Sequence, residues 1–521
     1  MPTVLPQSAD GPLVLALDLG SSSLRAIVYD ARGREVEGTE GRTSCRWAVT
    51  PDGGVEGDPD AFVEGASDAI DQALAGAGRL AGGIRAVGIS TFWHTLMGVG
   101  GDGRPSTPLY SWADERSAAA ARSLRERLDE SAVRRRTGCV FHPSYPAPRL
   151  LWLRERDPQA WRATRTWMSI GEYLTLRCFG RVACSISMAS GTGLLDQRRC
   201  EWDAGVLEAV GLEPSRLGPI VDLDEPFAGL APGYAARWPV LRDLPWLPAA
   251  GDGALSNVGT GCVTPTRAAL VVGTSGALRV LRAAEPHEVP RSLWHYRLTR
   301  THLLTGGAVS NGGNLYHWMQ EQFALGTPEE IERGLAARRP EAAGLVVLPF
   351  FAGERSPEWP LWARGAVVGL TLATKPLDLL RASLEGIAQR FALIWDQLRA
   401  AIPEVREIVA SGGGLRRSPA WLQIMADVLG HEVTSSAEAE GSSRGAALMA
   451  LELLGAVRVE EVPPPLGETF HPDPARHARY LAARTTHLRV EAALAPLQEL
   501  FYPQPSRARE SLPPLPPDRV E

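Results

Sequence analysis

At 521 residues, 44% of them apolar and 22% charged, the chain has the composition of a soluble globular protein too long for one ordinary core. Its formal net charge of −6 gives no support to a nucleic-acid or anionic-membrane partner. No apolar run is long enough to span a membrane, and the opening MPTVLPQSADGP lacks the regions of a secretory signal; the six cysteines show no zinc or CxxC spacing, so reduced thiols in a cytoplasmic protein are the expectation.

In chain order, residues 13–17 and 24–29 read as buried strands joined by a tight turn, within VLALDLGSSSLRAIVYD. A short third strand is expected at 35–36, a helix over 59–74 and a buried strand over 84–90. PLYSWADERSAAAARSLRERL reads as a strand ending at Trp112 and a helix starting near Asp114. The opening pattern then recurs as AALVVGTSGALRVL, residues 268–281, which suggests two similar halves with a cleft between them. Leu380, Leu384, Ile387, Phe391, Ile394 and Leu398 recur at helical spacing. EIVASGGGLRRSPAWLQIMADVLG reads as a strand, three glycines and a helix capped by Ser418 and stopped at Gly430. The Pro-rich end, 502–521, reads as disordered.

The first turn has the chemistry of a phosphate-binding loop without a Walker lysine; the chain's one lysine is Lys375. Gly20 allows close backbone approach, and Ser21, Ser22 and Ser23 offer donors. Arg25 could supply positive charge. Asp18, at the mouth of the loop, suits a hydrated Mg²⁺, or is a turn residue bonding its own backbone. Gly273, Thr274 and Ser275 offer matching donors from the other half, so that two facing loops would clamp the β- and γ-phosphates of a nucleotide. Asp252, between glycines, is either a helix cap or a base that orients a substrate hydroxyl for phosphoryl transfer. The triple glycine Gly412, Gly413, Gly414 suits close approach to a nucleotide, whereas Gly445, Ala446 and Ala447 read as close helix packing. His94 and Asp114 could bond a polyol, with a core histidine and a helix cap as the plain alternatives.

From about residue 13 to 455 the order of these motifs resembles the FGGY family of carbohydrate kinases. GAVVGLTLATKPLDLLRASLE, residues 365–385, resembles the family's C-terminal signature, and HPSYPAPRLLWLRER its N-terminal one, with Arg149 where lysine is usual. The resemblance implies two actin-like (RNase H-like) α/β domains with a catalytic cleft between them: a sugar-binding domain over 13–250, a nucleotide-binding domain over 251–460, and an extension over 461–521. It implies Asp252 as catalytic base, Asp18 as the Mg²⁺-associated acid, and Ser21, Ser22, Ser23, Arg25 and Thr274 as phosphate contacts. It places Gly312, Gly313, Gly413 and Arg417 at the nucleotide, with ATP and Mg²⁺ as cofactors. Several segments are most similar to the gluconokinases, although Trp93-His94-Thr95 stands where Met-His-Ser is usual. The expectation is phosphorylation of a terminal hydroxyl of D-gluconate, with Arg116, Arg136, His142 or Arg355 as partners for the sugar carboxylate. A xylulokinase-like kinase of another sugar or polyol is the near alternative, an actin-like ATPase or a silent sugar sensor the remoter ones, and a homodimer is the family's frequent habit.

Overall fold

Two seven-stranded sheets carry the molecule, and each is built around one of the two hairpins marked in the sequence. The computed structural model describes residues 3–284, 290–340, 344–498 and 500. The first sheet comprises β1 (Thr3–Val4), β2 (Leu13–Leu19), β3 (Ser23–Tyr29), β4 (Glu35–Val36), β5 (Gly41–Ser44), β6 (Ile84–Thr91) and β7 (Ala250–Gly251). Their order is β1-β4-β3-β2-β6-β7, with β5 added on β3. Strands β2 and β3 are antiparallel, while β6 runs parallel to β2 and β7 to β6. Every residue of β2 is buried, as expected of a central strand covered on both faces. Helix α1 (Pro59–Ala77) covers β3 and β5, with Phe62, Val63, Ala66, Ile70 and Ala73 inward and Asp58 accepting from the Asp60 and Ala61 amides at its start.

One expected boundary is corrected. The strand before Trp112 ends at Tyr110, and the following helix, α2, spans Ala118–Arg127 rather than starting near Asp114. The reason is local chemistry: the Asp114 carboxylate accepts from the Val55 amide at 3.2 Å and is chelated by Arg116 at 2.6 Å, which pins the loop and delays the helix. The helix-cap reading of Asp114 is therefore wrong.

Helix α3 (Asp252–Gly259) leads out of the first sheet. The second sheet comprises β8 (Arg267–Val272), β9 (Gly276–Ala283), β10 (Trp294–Arg297), β11 (His302–Val309), β12 (Glu407–Ser411), β13 (Val433–Ser436) and β14 (Leu466–Phe470), in the order β10-β11-β9-β8-β12-β13-β14. It repeats the first arrangement: an antiparallel hairpin, β8–β9, then β12 parallel to β8 and β13 parallel to β12. The described helices on this half include α4 (Gly313–Gln322), α5 (Pro376–Ala401), which buries all six of the periodic apolar residues, and α6 (Pro419–Leu429). Ser418 accepts from the Trp421 amide at the start of α6, and Gly430 ends it at φ 62°.

Helix α7 (Gly441–Leu453) follows these in the chain, yet packs on β2 and β6 of the first sheet. Ala446, Ala447, Leu448, Ala450 and Leu451 share one core with Val14, Ala16 and Ile27. The close packing expected at Gly445 is observed: a Cβ there would lie 1.9 Å from the Leu255 carbonyl oxygen of α3. Beyond residue 460, β14 extends the second sheet and helix α8 (Pro474–Gln498) packs beside α6. The proline-rich end expected to be disordered lies outside the described residues. Five of the six cysteines are buried, with Cys45 intermediate, and no described helix is long and apolar enough to cross a membrane.

Candidate active site

The antiparallel hairpins β2–β3 and β8–β9 deliver their loops to one cavity of about 280 Å³. Gly20, Ser21 and Ser22 line it from the first half, and Gly273, Thr274 and Ser275 from the second. Ser23 does not line the cavity: it is the first residue of β3, and its carbonyl accepts from the Gly20 amide to close the turn. A Cβ on Gly20 would lie 2.7 Å from that carbonyl, so only glycine fits the turn as built.

Asp18 and Arg25, paired across β2 and β3, face each other at 3.5 Å. Arg25 also forms an ion pair with Glu440, just before α7, and so ties the first loop to the second half. The second carboxylate oxygen of Asp18, Oδ1, is buried without a hydrogen-bond partner. An orphaned anionic oxygen beside a hydroxyl-lined loop is chemically suited to a cation. Among the described residues no cluster of three His, Cys, Asp or Glu could hold a metal.

Asp252 is the first residue of α3, not its cap; Gly251 holds the cap position. Its Oδ1 accepts from the Gly253 amide at 2.7 Å, and the side chain lines the cavity with Asp18. Burial pushes its carboxyl up to about 6, with Arg279 opposing and Asp18 adding to the shift. It is thus ionised at neutral pH and can take a proton.

Trp93 and His94 also line the cavity. Trp93 donates from Nε1 to the Ser187 carbonyl and is cradled by three glycines; Cβ atoms on Gly191, Gly251 and Gly253 would lie 2.7, 1.9 and 2.7 Å from its ring. His94 has φ 68°, unusual for a side chain of its size. Its Nδ1 lies 2.6 Å from the Gly191 carbonyl, which requires the Nδ1–H tautomer, and burial holds the ring neutral with a pKa of about 3. Arg149 fixes this loop by donating to the carbonyls of His94 and Pro143 at 2.9 and 3.0 Å.

The remaining expected residues separate. Asp114 lines a smaller adjoining cavity that shares the Trp112 and Ser144 wall. Gly312, Gly313, Gly412, Gly413, Gly414 and Arg417 do not line the cavity; most of them stand around the base of the second loop. The Gly313 amide donates to the Gly273 carbonyl at 2.8 Å, and Cβ atoms on Gly312 and Gly412 would lie 3.0 and 2.4 Å from the backbone of Ser275 and Val272. Of the cations considered for a sugar carboxylate, Arg116 is bound to Asp114 and Glu56, and Arg136 to Asp203. His142 faces the adjoining cavity, whereas Arg355 lines the main one.

Sequence reasoning missed Arg279, Tyr145, Trp294, Tyr296 and Trp359, all on the cavity wall. Arg279 carried a legible signal as a lone charge inside the apolar run GALRVL. The aromatic residues carried none, because buried aromatics are common in any core.

The N-terminal-domain model of the FGGY family of carbohydrate kinases matches residues 13–259, and its C-terminal-domain model residues 268–452. A gluconokinase of Bacillus subtilis (strain 168) is 28% identical over 475 residues, covering 88% of this chain and 91% of its own. A glycerol kinase of Thermus brockianus is 31% identical over 447 residues, covering 83% and 88%. The crystal structure of ligand-bound xylulose kinase from Lactobacillus acidophilus aligns with a TM-score of 0.84 at 26% identity, covering 94% of this chain and 99% of that one.

Proposed function

The chain belongs to the FGGY family of carbohydrate kinases, and from that premise we propose that it transfers the γ-phosphoryl group of Mg·ATP to a terminal hydroxyl of D-gluconate. The observation that carries the chemistry is the meeting of Asp252, Asp18 and both hydroxyl-rich loops in one cavity. The choice of gluconate is supported by the similarity to a gluconokinase and by Arg279 and Arg355, two of the three arginines that line the same cavity.

Asp18, with its orphaned oxygen, would hold Mg²⁺, and the amides and hydroxyls of Gly20–Ser22 and Gly273–Ser275 would hold the phosphates. Gly312, Gly313, Gly412, Gly413, Gly414 and Arg417 would contact the rest of the nucleotide. When bound, the metal nucleotide supplies the phosphoryl group and balances the charge that spreads over it during transfer. Asp252 orients the acceptor hydroxyl and accepts its proton. Its bond to the Gly253 amide fixes one oxygen and leaves the other for that hydroxyl. Its place at the start of α3 favours the ionised form, which burial disfavours, and the balance keeps it a usable base near neutrality. The indole of Trp93 and the rings of Tyr145, Tyr296 and Trp359 exclude water, which would otherwise compete as acceptor.

A neutral ketose or polyol is the second reading, favoured by the similarity to xylulose and glycerol kinases. ADP release with Mg·ATP, measured against D-gluconate, D-xylulose, L-ribulose, glycerol and no sugar, separates them. A rate confined to gluconate is expected; a higher rate with a neutral acceptor would discard gluconate and keep the kinase.

A further inference from the structure

Among the described residues no carboxylate forms an ion pair with either of two guanidinium groups in the cavity, although the charge of both is felt at Asp252. Arg279, on β9, is 7% exposed, and its guanidinium makes no hydrogen bond or ion pair with any described residue. Arg355 donates from Nη2 to the Val309 carbonyl and lies over the Trp112 ring at 5.2 Å, but its Nε is buried without a partner and no described carboxylate pairs with it. Other buried arginines keep acceptors even where a nitrogen is left over: Arg149 reaches two carbonyls and Arg390 pairs with Glu491 at 2.7 Å, though the Nε of each has no hydrogen-bond partner, while Arg381 pairs with Glu385 at 2.8 Å. A buried cation left without an acceptor is costly and is retained where a ligand completes it.

We propose that Arg279 and Arg355 together form the receptor for a carboxylate on the acceptor, and so select a sugar acid over a neutral sugar of the same length. This rests on the reading of the protein as a sugar-acid kinase. Position along the strand separates this role from phosphate binding. The second loop ends at Gly276, where β9 begins, and Arg279 lies three residues further in, about 10 Å along a strand that rises ~3.3 Å per residue. The phosphate donors are thus at the loop, and Arg279 springs from deeper in the strand. Arg279 also lies against Gly253, where an added Cβ would stand 2.0 Å from its Nη1. It therefore borders the place where Asp252 receives the acceptor. A planar guanidinium binds a carboxylate through paired donors, and a site built for that partner discriminates against an acceptor lacking it.

The test compares D-gluconate with D-glucitol, the same chain with a hydroxymethyl group in place of the carboxylate. Values of kcat/KM are measured with Mg·ATP for the wild type, Arg279→Met, Arg279→Lys and Arg355→Met. Wild type is expected to favour gluconate, and each Met variant to lose on the order of 10²-fold more on gluconate than on glucitol. Arg279→Lys, which keeps the charge, should recover part of the loss and shows that the fold survives. Equal losses on both acceptors would overturn the proposal, since the arginines would then serve the phosphoryl group or Asp252. Unchanged gluconate kinetics in both Met variants would also overturn it, leaving the gluconate kinase standing. A wild type active on D-xylulose but silent on gluconate would instead sink the sugar-acid reading, and the receptor with it.

Discussion

Gly88 of β6 lies against the backbone of Ala446 in α7 so closely that a Cβ on it would stand 2.1 Å from the Ala446 carbonyl oxygen. The obstacle is backbone, which cannot swing aside as a side chain can. Gly88→Ala should push α7 off the first sheet and lower stability by about 3 kcal/mol, as overpacked cores do. Gly82→Ala, where the added Cβ meets nothing within 4 Å, is the control and should leave thermal unfolding unchanged. Equal melting curves for the two variants would show that the contact does not constrain the helix.

Asp252→Asn should lower kcat on the order of 10³-fold while nucleotide affinity stays within a few-fold. The pH profile adds a second check. Because the Asp252 carboxyl is raised to about 6, kcat/KM of the wild type should fall as pH drops through 6, where the base becomes protonated. The residual activity of Asp252→Asn should lack that acid limb. A limb unchanged in the variant would assign it to another group.

Raising a carboxyl pKa by folding also carries a stability consequence, with a sign opposite to that of an ion-paired carboxylate. The folded state binds the Asp252 proton more tightly than the unfolded chain, so this group contributes stability at low pH that is lost as pH rises from about 4 to 6. At pH 8 Asp252→Asn, with no charge to bury, should therefore melt higher than the wild type. A lower melting point at pH 8 would mean that the ionised carboxylate is stabilised by its surroundings.

Removing Mg²⁺ with a chelator should abolish turnover, and Asp18→Asn should raise the Mg²⁺ concentration needed for half-maximal rate by about tenfold or more. The orphaned Oδ1 motivates this expectation. A Mg²⁺ titration that superposes on the wild-type curve would remove Asp18 from the metal site.

His142 is buried and held neutral, its pKa lowered to about 3 by desolvation and by the neighbouring Arg125 and Arg355. The unfolded chain takes up this proton below about 6.5 and the folded one does not, so stability present above 6.5 is lost as pH falls toward 3, at about 1.4 kcal/mol per pH unit for each such histidine. Its Nδ1 accepts from the Ser144 amide at 3.3 Å, a role an asparagine carbonyl can approximate. His142→Asn should lose less melting temperature than the wild type between pH 6.5 and 5. Parallel curves would show that this ring titrates normally.

Much of this arrangement was legible because it is local. The hairpins around 18–25 and 272–276, the α5 periodicity and the caps of α6 depend on residues close in sequence, and the repeated turn chemistry gave away the repeated sheet. What lay beyond reach depends on distant contacts. Nothing near Asp114 says that Val55 will donate to it, or that Arg116 will fold back and stop the helix from starting there. Trp93 read as one bulky residue in a loop; its shape as a wall is set by Gly191, Gly251 and Gly253, up to 160 residues away. Asp114 and Ser23 were marked as ligand contacts by their type and are not among the residues that line the main cavity, since type alone does not fix where a residue stands.

The crossing of α7 into the first core also orders events on the ribosome. The first sheet is complete once β7 has emerged, but the helix that covers β2 and β6 lies roughly 190 residues further on. At about 5–20 residues per second, this apolar sheet face waits on the order of 10 to 40 s for its cover. Over that interval Val14, Ala16 and Ile27 lack the cover of α7, so this core can be completed only after the carboxy-terminal half has been made.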